Sequence, residues 1–574
     1  MRWVLAEHDA GAAALLAERA GVHPLIARIL AVRGITEPGK AQAFLSSDLS
    51  SLSDPSVFIG MAAAIVRILG AAATGQRVIV YGDYDVDGVS GSAILWLALK
   101  DLGADAVSYI PDRITEGYGL NDQALRKIEA TGARVVITVD CGISAVREAR
   151  TARDLGIDLI ITDHHEFDGS VPEAFAVLHP SLLQPDVAAE QQERIAGLTG
   201  AGMAFKLVQG LLGAEAGDAR MARFLDLVTL GTIADMGRVT GENRILVKHG
   251  LELLSAGNGS VRPGIAALKE VAGLSGRRVT AGTVGFTLAP RINASGRLAS
   301  ADAAFRLLTT TDPDEARALA ADLDTVNRER QALEERIWSA ARERCLEAGD
   351  LSGTGAFVLA SEDWHPGVIG IVASRIVDEF YRPTALISLK EGVGKGSARS
   401  IPGFDLYAGL LQCSDLLMGF GGHKCAAGMT VSADRIPQFR DRLSKLVLDH
   451  FGADGFVRTL KVDASVSLDE LNFDLLAELE KIAPFGQGNP EPRLGIKGLE
   501  VLSVRHVGGN KHVKMRLRQQ NGRSVDAIAY NRGEAFAGRL RQGNRIAAVF
   551  VPRCNTWNGN AAIELEIKDI KLER

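Results

Sequence analysis

Five short, mainly apolar runs punctuate the chain between residues 77 and 178. Residues 78–80 stop at Gly82-Asp83, 106–110 at Pro111-Asp112, 134–139 at Asp140, 158–162 at Asp163, and 176–178 at His179-Pro180. Helical patterns lie between them, as in 92–102 and 121–130. Short β-rich runs alternating with helices predict βαβ units and a parallel sheet. Residues 1–75, rich in Ala and Leu, predict a helical entry segment. A long helical pattern covers 203–256, with an interruption near 235–241. Residues 314–348 hold neither Pro nor Gly over 35 positions. At 1.5 Å per residue they predict a helix of about 50 Å, long enough to join two domains.

Beyond Gly349 the pattern is α/β again, through 356–360, 366–380 and 384–389, with a Gly-rich stretch at 418–429. Alternation at 512–518 and 546–551, with turns at Gly508-Gly509-Asn510 and Asn521-Gly522, predicts a Greek-key or OB-like barrel. The expected fold class is therefore α/β. A parallel-sheet domain (76–310) follows the entry segment (1–75). A connecting helix (311–350) leads to a second, smaller α/β domain (351–455), and a C-terminal β-barrel (456–574) completes the chain.

A length of 574 residues accommodates three to five domains, and 47% hydrophobic with 23% charged residues excludes wholesale disorder. No apolar run approaches the roughly 20 residues of a membrane helix. Glu7, His8, Asp9, Glu18 and Arg19 leave no signal-peptide core near the start. Five cysteines without a CxxC pair fit a reduced, cytoplasmic setting and argue against a thiolate zinc site. Net charge is −6, yet residues 501–574 carry 14 Lys/Arg against 6 Asp/Glu. That +8 module on an acidic body is either a polyanion-binding surface or uneven surface charge.

The residues that can do chemistry sit just past the strand ends. One run ends in Asp83-Tyr84-Asp85-Val86-Asp87-Gly88, another in Asp140-Cys141-Gly142, a third in Asp163-His164-His165. In an open parallel sheet the carboxyl ends of the strands share one edge, so these clusters should converge. Converging carboxylates repel unless cations sit between them. A set of Asp oxygens with one or two imidazoles suits two Mn²⁺ or Mg²⁺ ions better than zinc. Such a pair activates water for in-line attack on phosphorus. Asp235, at the end of the apolar segment 224–234, is a further candidate ligand. Two blander readings compete. An EF-hand loop fails because its twelfth position is Ile94. Helix N-capping accounts for single Asp residues but not for three clusters.

These residues resemble the DHH phosphoesterase superfamily. The resemblance continues through Glu116-Gly117-Tyr118-Gly119, Pro290-Arg291-Ile292-Asn293-Ala294-Ser295-Gly296-Arg297, Trp364-His365-Pro366-Gly367, Gly396-Ser397-Ala398-Arg399, Gly421-Gly422-His423 and Pro484-Phe485-Gly486. In this order they look like the RecJ branch of single-strand-specific exonucleases, with DHH, DHHA1 and OB-like domains. The resemblance implies metal-dependent 5′-to-3′ hydrolysis of single-stranded DNA to 5′-mononucleotides, in repair and recombination. It implies Asp85, Asp87, Asp140, His164 and Asp235 as metal ligands, with Asp140 bridging. His165 would face the scissile phosphate, and Asp83 and Asp163 would be ligands or groups orienting them. Tyr81 stands where the pyrophosphatase branch has His, so one metal has fewer protein ligands here. A monomer is expected, in the company of a single-strand-binding protein and a RecQ-type helicase.

Ser397, Arg399 and His423, with glycines that let backbone approach a ligand, form a candidate terminal-phosphate pocket, and Arg291 is a further member. Arg113 and Tyr118 are candidate strand contacts, Tyr118 as a stacker. Lys511, Lys514 and Arg516 are candidates for tracking the backbone. Two other functions compete: a DHH phosphodiesterase for very short oligoribonucleotides or cyclic dinucleotides, and a scaffold without catalysis. The domains beyond residue 455 weigh against the first, and the intact carboxylates against the second.

Overall fold

The computed structural model describes residues 1–573 except 114, 216, 258–260, 299, 453–454, 521, 537 and 558–559. After an edge strand β1 (Arg2–Leu5) and a set of helices, the chain enters β2 (Arg77–Gly82), β3 (Asp105–Tyr109), β4 (Val135–Val139), β5 (Asp158–Thr162) and β6 (Ala176–Leu178). All pair in parallel, in the order β3-β2-β4-β5-β6. The strands read as continuous apolar runs because helices cover both faces; every residue of β4 is buried. The strand order reverses between β2 and β4, and a ligand crevice opens at such a point. The helices Val86–Asp101, Gly200–Leu212 and Leu225–Ala234 pack together in the largest core.

The break expected near 235–241 is real. Met236 takes a left-handed φ of 59°, which ends the helix Leu225–Ala234 before Gly241–Ser255 begins. The connecting helix runs Pro313–Glu347, capped by Asp312. It leads into a second sheet of β7 (Phe357–Ser361), β8 (Thr384–Lys390), β9 (Val393–Arg399), β10 (Gly419–Gly422) and β11 (Ala426–Ser432), ordered β10-β11-β9-β8-β7.

Next come β12 (Thr459–Val462), which pairs with β1, and β13 (Ala464–Ser465). The barrel strands are β14 (Leu494–Val507), β15 (His512–Gln519), β16 (Ser524–Ala529), β17 (Arg545–Trp557) and β18 (Asn560–Leu572). The order β14-β15-β16-β18-β17 closes through β14–β17 pairing, with β16 and β18 parallel. This is a closed five-stranded, OB-like barrel. Of the turn at Asn521-Gly522, Asn521 lies outside the described residues.

The first 75 residues divide between two cores. Leu16, Ile26 and Leu30 pack with the barrel, whereas Met61, Ala64 and Ile68 pack on the parallel sheet. Arg244 ties these parts together. Its buried guanidinium donates to the carbonyls of Phe44 (2.9 Å), Ile482 (2.8 Å) and Ala483 (2.8 Å) and to Ser47 Oγ (3.1 Å). Burial without a carboxylate partner pulls its pKa down to about 9. Among the described residues, no single helix is long and apolar enough to cross a membrane.

Candidate metal centre and phosphate cleft

Each acidic cluster reaches the sheet edge for a local reason. Asp85 caps the helix Val86–Asp101: its Oδ1 accepts from the amides of Asp87 (2.8 Å) and Gly88 (3.1 Å). Capping and cluster membership are therefore not alternatives for this carboxylate. Asp140 holds a left-handed φ of 65°, a conformation Asp tolerates better than most residues. Asp87 is fully buried against the N-terminus of the helix Gly200–Leu212. It accepts from the amides of Gly200 (2.6 Å) and Ala201 (3.0 Å) and from Thr199 Oγ1 (3.0 Å).

The ligand atoms gather into overlapping triads: Asp83, Asp85 and Asp140; Asp87, His164 and Asp235; Asp140, His164 and His165. Within each triad they lie within 4.8 Å of one another. Asp140 thus belongs to two of them. His164 Nε2 lies 2.9 Å from Asp140 Oδ1, 3.7 Å from Asp87 and 3.8 Å from Asp235. The short approach to Asp140 is close enough for an ion pair but lacks hydrogen-bond alignment. Asp83 Oδ1, Asp140 Oδ1 and His164 Nε2 are all buried without a hydrogen-bond partner. Buried oxygen and imidazole atoms aimed at common points, otherwise unsatisfied, fit a hard divalent cation.

The titration of these groups supports that fit. Burial, then the charge of Asp85, pushes Asp83 up to about 8 and Asp87 to about 7. Burial, then Asp87 and Asp85, raises Asp235 to about 8, and Asp140 is also raised well above its ordinary value. Cations between them would reverse these shifts. Burial lowers His164 to about 4, which leaves a neutral imidazole suited to ligation. His165 differs. Burial alone would depress it, but Asp163, hydrogen-bonded at 2.8 Å to Nδ1, outweighs that and raises it to about 9. Asp163 in turn accepts from the amides of Ile143 (2.8 Å) and His164 (2.7 Å). It orients His165 and stands outside the carboxylate triads.

Tyr118 does not present a free ring alone. Its hydroxyl lies 3.2 Å from His165 Nδ1 and 3.2 Å from the Asp140 carbonyl, while the residue stays 54% exposed. Tyr81 is buried, stacks on Tyr109 and donates to the Gly119 carbonyl (2.9 Å), so it supports the Tyr118 loop.

A positive cluster faces the acidic one. Arg399 donates to Ser397 Oγ (3.0 Å), and both lie against Gly370 in the first turn of the helix Ile369–Phe380. A Cβ there would come within 2.9 Å of each. Arg297 reaches across to the Gly367 carbonyl (3.1 Å). Arg113 stacks over Tyr84 and is close enough to disfavour the charge of both Arg297 and Arg399. Burial, with Arg113 and Arg330, lowers Arg297 to about 10. Crowded guanidiniums of this kind suit an anion.

Not every candidate joins. Arg291 is held by Asp324 (2.9 Å) and the Thr287 carbonyl (2.6 Å). His423 is mostly exposed just past β10, in the same sheet as Ser397 and Arg399, and lies 3.8 Å from Glu166. Trp364 is core. On the barrel, Lys514 pairs with Glu564 (3.6 Å) and Arg516 with Asp526 (3.1 Å); Lys511 makes no ion pair among the described residues. Sequence reasoning missed Thr199, Gly200 and Arg297. The last lies inside a motif already singled out, and a Gly-rich opening to an apolar helix was the available signal for the others. A cleft of about 950 Å³ between the helix Gly241–Ser255 and the segment 483–491 holds none of the clustered residues.

Comparison with known proteins matches three domains. The DHH family N-terminal domain covers residues 77–232, the DHHA1 domain 353–449 and the RecJ OB domain 462–569. The single-stranded-DNA-specific exonuclease RecJ of Bacillus subtilis is 40% identical over 99% of this chain and 70% of its own. That of Escherichia coli is 32% identical over 95% and 96%. The structure of RecJ from Thermus thermophilus in complex with Mn²⁺ superposes with a TM-score of 0.83 at 31% identity, covering 100% of this chain and 80% of that one. The complex with Mg²⁺ gives 0.78 at 30%, covering 100% and 79%.

Proposed function

This chain belongs to the RecJ family of single-stranded-DNA-specific exonucleases and is a metal-dependent exonuclease; from that premise we propose that it shortens DNA from the 5′ end. The observation that carries the reading is the overlap of carboxylate and imidazole triads at Asp140, opposite the arginine cluster. Asp83, Asp85 and Asp140 would hold one divalent cation, and Asp87, His164 and Asp235, with Asp140 between, the other. Mn²⁺ or Mg²⁺ bound there supplies an activated water and neutralises charge on the phosphodiester.

The chain's own groups do the rest. Arg399, Ser397, Arg297 and Arg113 bind the 5′-terminal phosphate and so place the first phosphodiester over the acidic cluster. His165 gives Nδ1–H to Asp163 and carries its second proton on Nε2, available to the departing 3′-oxygen of the terminal nucleotide. The products are a 5′-mononucleotide and a strand with a new 5′-phosphate, which fits the arginine cluster after advancing by one nucleotide. The barrel contributes backbone contacts through Lys511, with less from Lys514 and Arg516, whose charges are already paired. The cellular role would be DNA repair and recombination, as a monomer in the cytoplasm beside single-strand-binding protein and a RecQ-type helicase.

Digestion of 5′- and 3′-labelled single- and double-stranded oligonucleotides with Mn²⁺, Mg²⁺ or EDTA tests the reading. Release of labelled mononucleotide from the 5′ end, single strands only and abolished by EDTA, is expected. Asp140→Ala should abolish hydrolysis while strand binding persists. Label released first from the 3′ end, or full activity in Asp140→Ala, would refute it.

A further inference from the structure

We propose that Phe286 is a stacking platform for one unpaired base of the bound strand; this rests on the single-strand exonuclease reading. Phe286 is 88% exposed, more than any other large apolar side chain among the described residues. It lies in a π-helical turn, Val284–Leu288. Val284 and Leu288 are fully buried, and that pair, four residues apart, anchors the turn to the core. Phe286 between them faces outward. A π-turn inserts a residue at a cost in helical regularity and is found mostly where function requires it. A lone exposed apolar residue needs no explanation; one held outward by such a turn beside a catalytic cluster does.

Its surroundings are those of a nucleotide. The adjacent Gly285 lies against Ile233, two residues before Asp235. On the other side, Asn293 Oδ1 accepts from the amide of Val86 (3.2 Å), next to Asp85. The segment bearing Phe286 therefore packs against residues close in sequence to two members of the acidic cluster, Asp235 and Asp85. Phe286 lines a groove of about 440 Å³ with Asn293, Arg297, Arg330, Gln331 and Arg375. That is room for a nucleotide. Arg330 and Arg375 are balanced by Glu334, and Arg375 also by Glu335. Arg297 makes no ion pair among the described residues. Arg297, already part of the phosphate cleft, thus stands beside one open aromatic face, and the two offer phosphate and base contacts together, without reading sequence. A base inside a duplex is covered on both faces by its stacked neighbours, so the same contact favours single strands.

The test places Phe286→Ala and Phe286→Trp in the full chain carrying Asp140→Ala, so that the strand survives. Binding of 5′-phosphorylated, 3′-fluorescein oligonucleotides is followed by anisotropy, with a single abasic site moved along the strand. At one position the abasic site should weaken the parent about tenfold. Phe286→Ala should weaken the intact strand by a similar factor and erase the penalty at that position only; Phe286→Trp should restore both. Unchanged affinity in Phe286→Ala, or an abasic penalty that survives it everywhere, overturns the proposal and leaves the face to a protein partner. A parent that binds no single-stranded DNA defeats the exonuclease reading itself.

Discussion

A single added methyl group at Gly200 should impair activity in protein that still folds. The Cβ of Gly200→Ala would stand 2.6 Å from Asp140 Cβ, 2.7 Å from Oδ1 and 2.8 Å from Cγ. Ordinary contact begins at 3.4 Å, so one side must yield by about 0.8 Å. The helix Gly200–Leu212 is buried along most of its length, and its first amides bond Asp87. The nearest atom is Asp140 Cβ, so the carboxylate cannot swing clear by rotation alone and the Asp140 backbone must give as well. A misplacement near 1 Å in a catalytic constellation costs about 10²-fold, so kcat should fall between roughly ten- and a hundredfold. Metal titration curves should shift to higher Mn²⁺. The φ of Gly200 is not left-handed and Ala is the better helix former, yet overpacking this buried contact should still cost about 1–3 kcal/mol, which leaves the protein folded under assay conditions. The assay pairs initial rates on end-labelled single strands across a Mn²⁺ series with a melting curve. Wild-type kcat and metal dependence in Gly200→Ala would refute the argument that Asp140 must occupy this position.

Arg399→Ala should weaken 5′-phosphorylated strands by about 1.5–3 kcal/mol, the worth of a hydrogen bond to a charged group, while sparing 5′-hydroxyl strands; competition binding with the two end groups measures the difference, and equal losses would remove Arg399 from the phosphate cleft. Lys206 and Glu242 form a wholly buried ion pair at 2.7 Å, with Glu242 also accepting from the Ser53 amide. Lys206→Met alone leaves that carboxylate buried and should cost about 3–5 kcal/mol in urea unfolding, whereas Lys206→Met with Glu242→Leu should recover much of it; a single variant as stable as the parent would contradict this.

Much of the candidate centre was legible because its residues lie where strands end. A parallel sheet puts every carboxyl terminus on one edge, so Asp83–Asp87, Asp140 and Asp163–His165 had to meet once the runs were read as parallel strands. Asp235 was legible as a charge closing an apolar segment. The phosphate cleft was half legible. Arg291 and Arg297 lie six residues apart on the helix Ala289–Leu298, hence on different faces. Nothing local says which face meets the second domain, and Asp324 claims Arg291 while Arg297 enters the cleft.

The basic face of the barrel illustrates the same limit. Count and alternation placed Lys514 and Arg516 on a strand, but strand register set Arg516 opposite Asp526 and so gave away its charge. Periodicity and strand-end chemistry are properties of neighbouring residues, and the sequence alone determined them: the α/β order, the connecting helix, the barrel and the acidic clusters. Pairing, helix rotation and the approach of Gly200 to Asp140 depend on residues far apart in the chain. Only packing could decide those, because the energy that selects them is shared between segments and resides in neither alone.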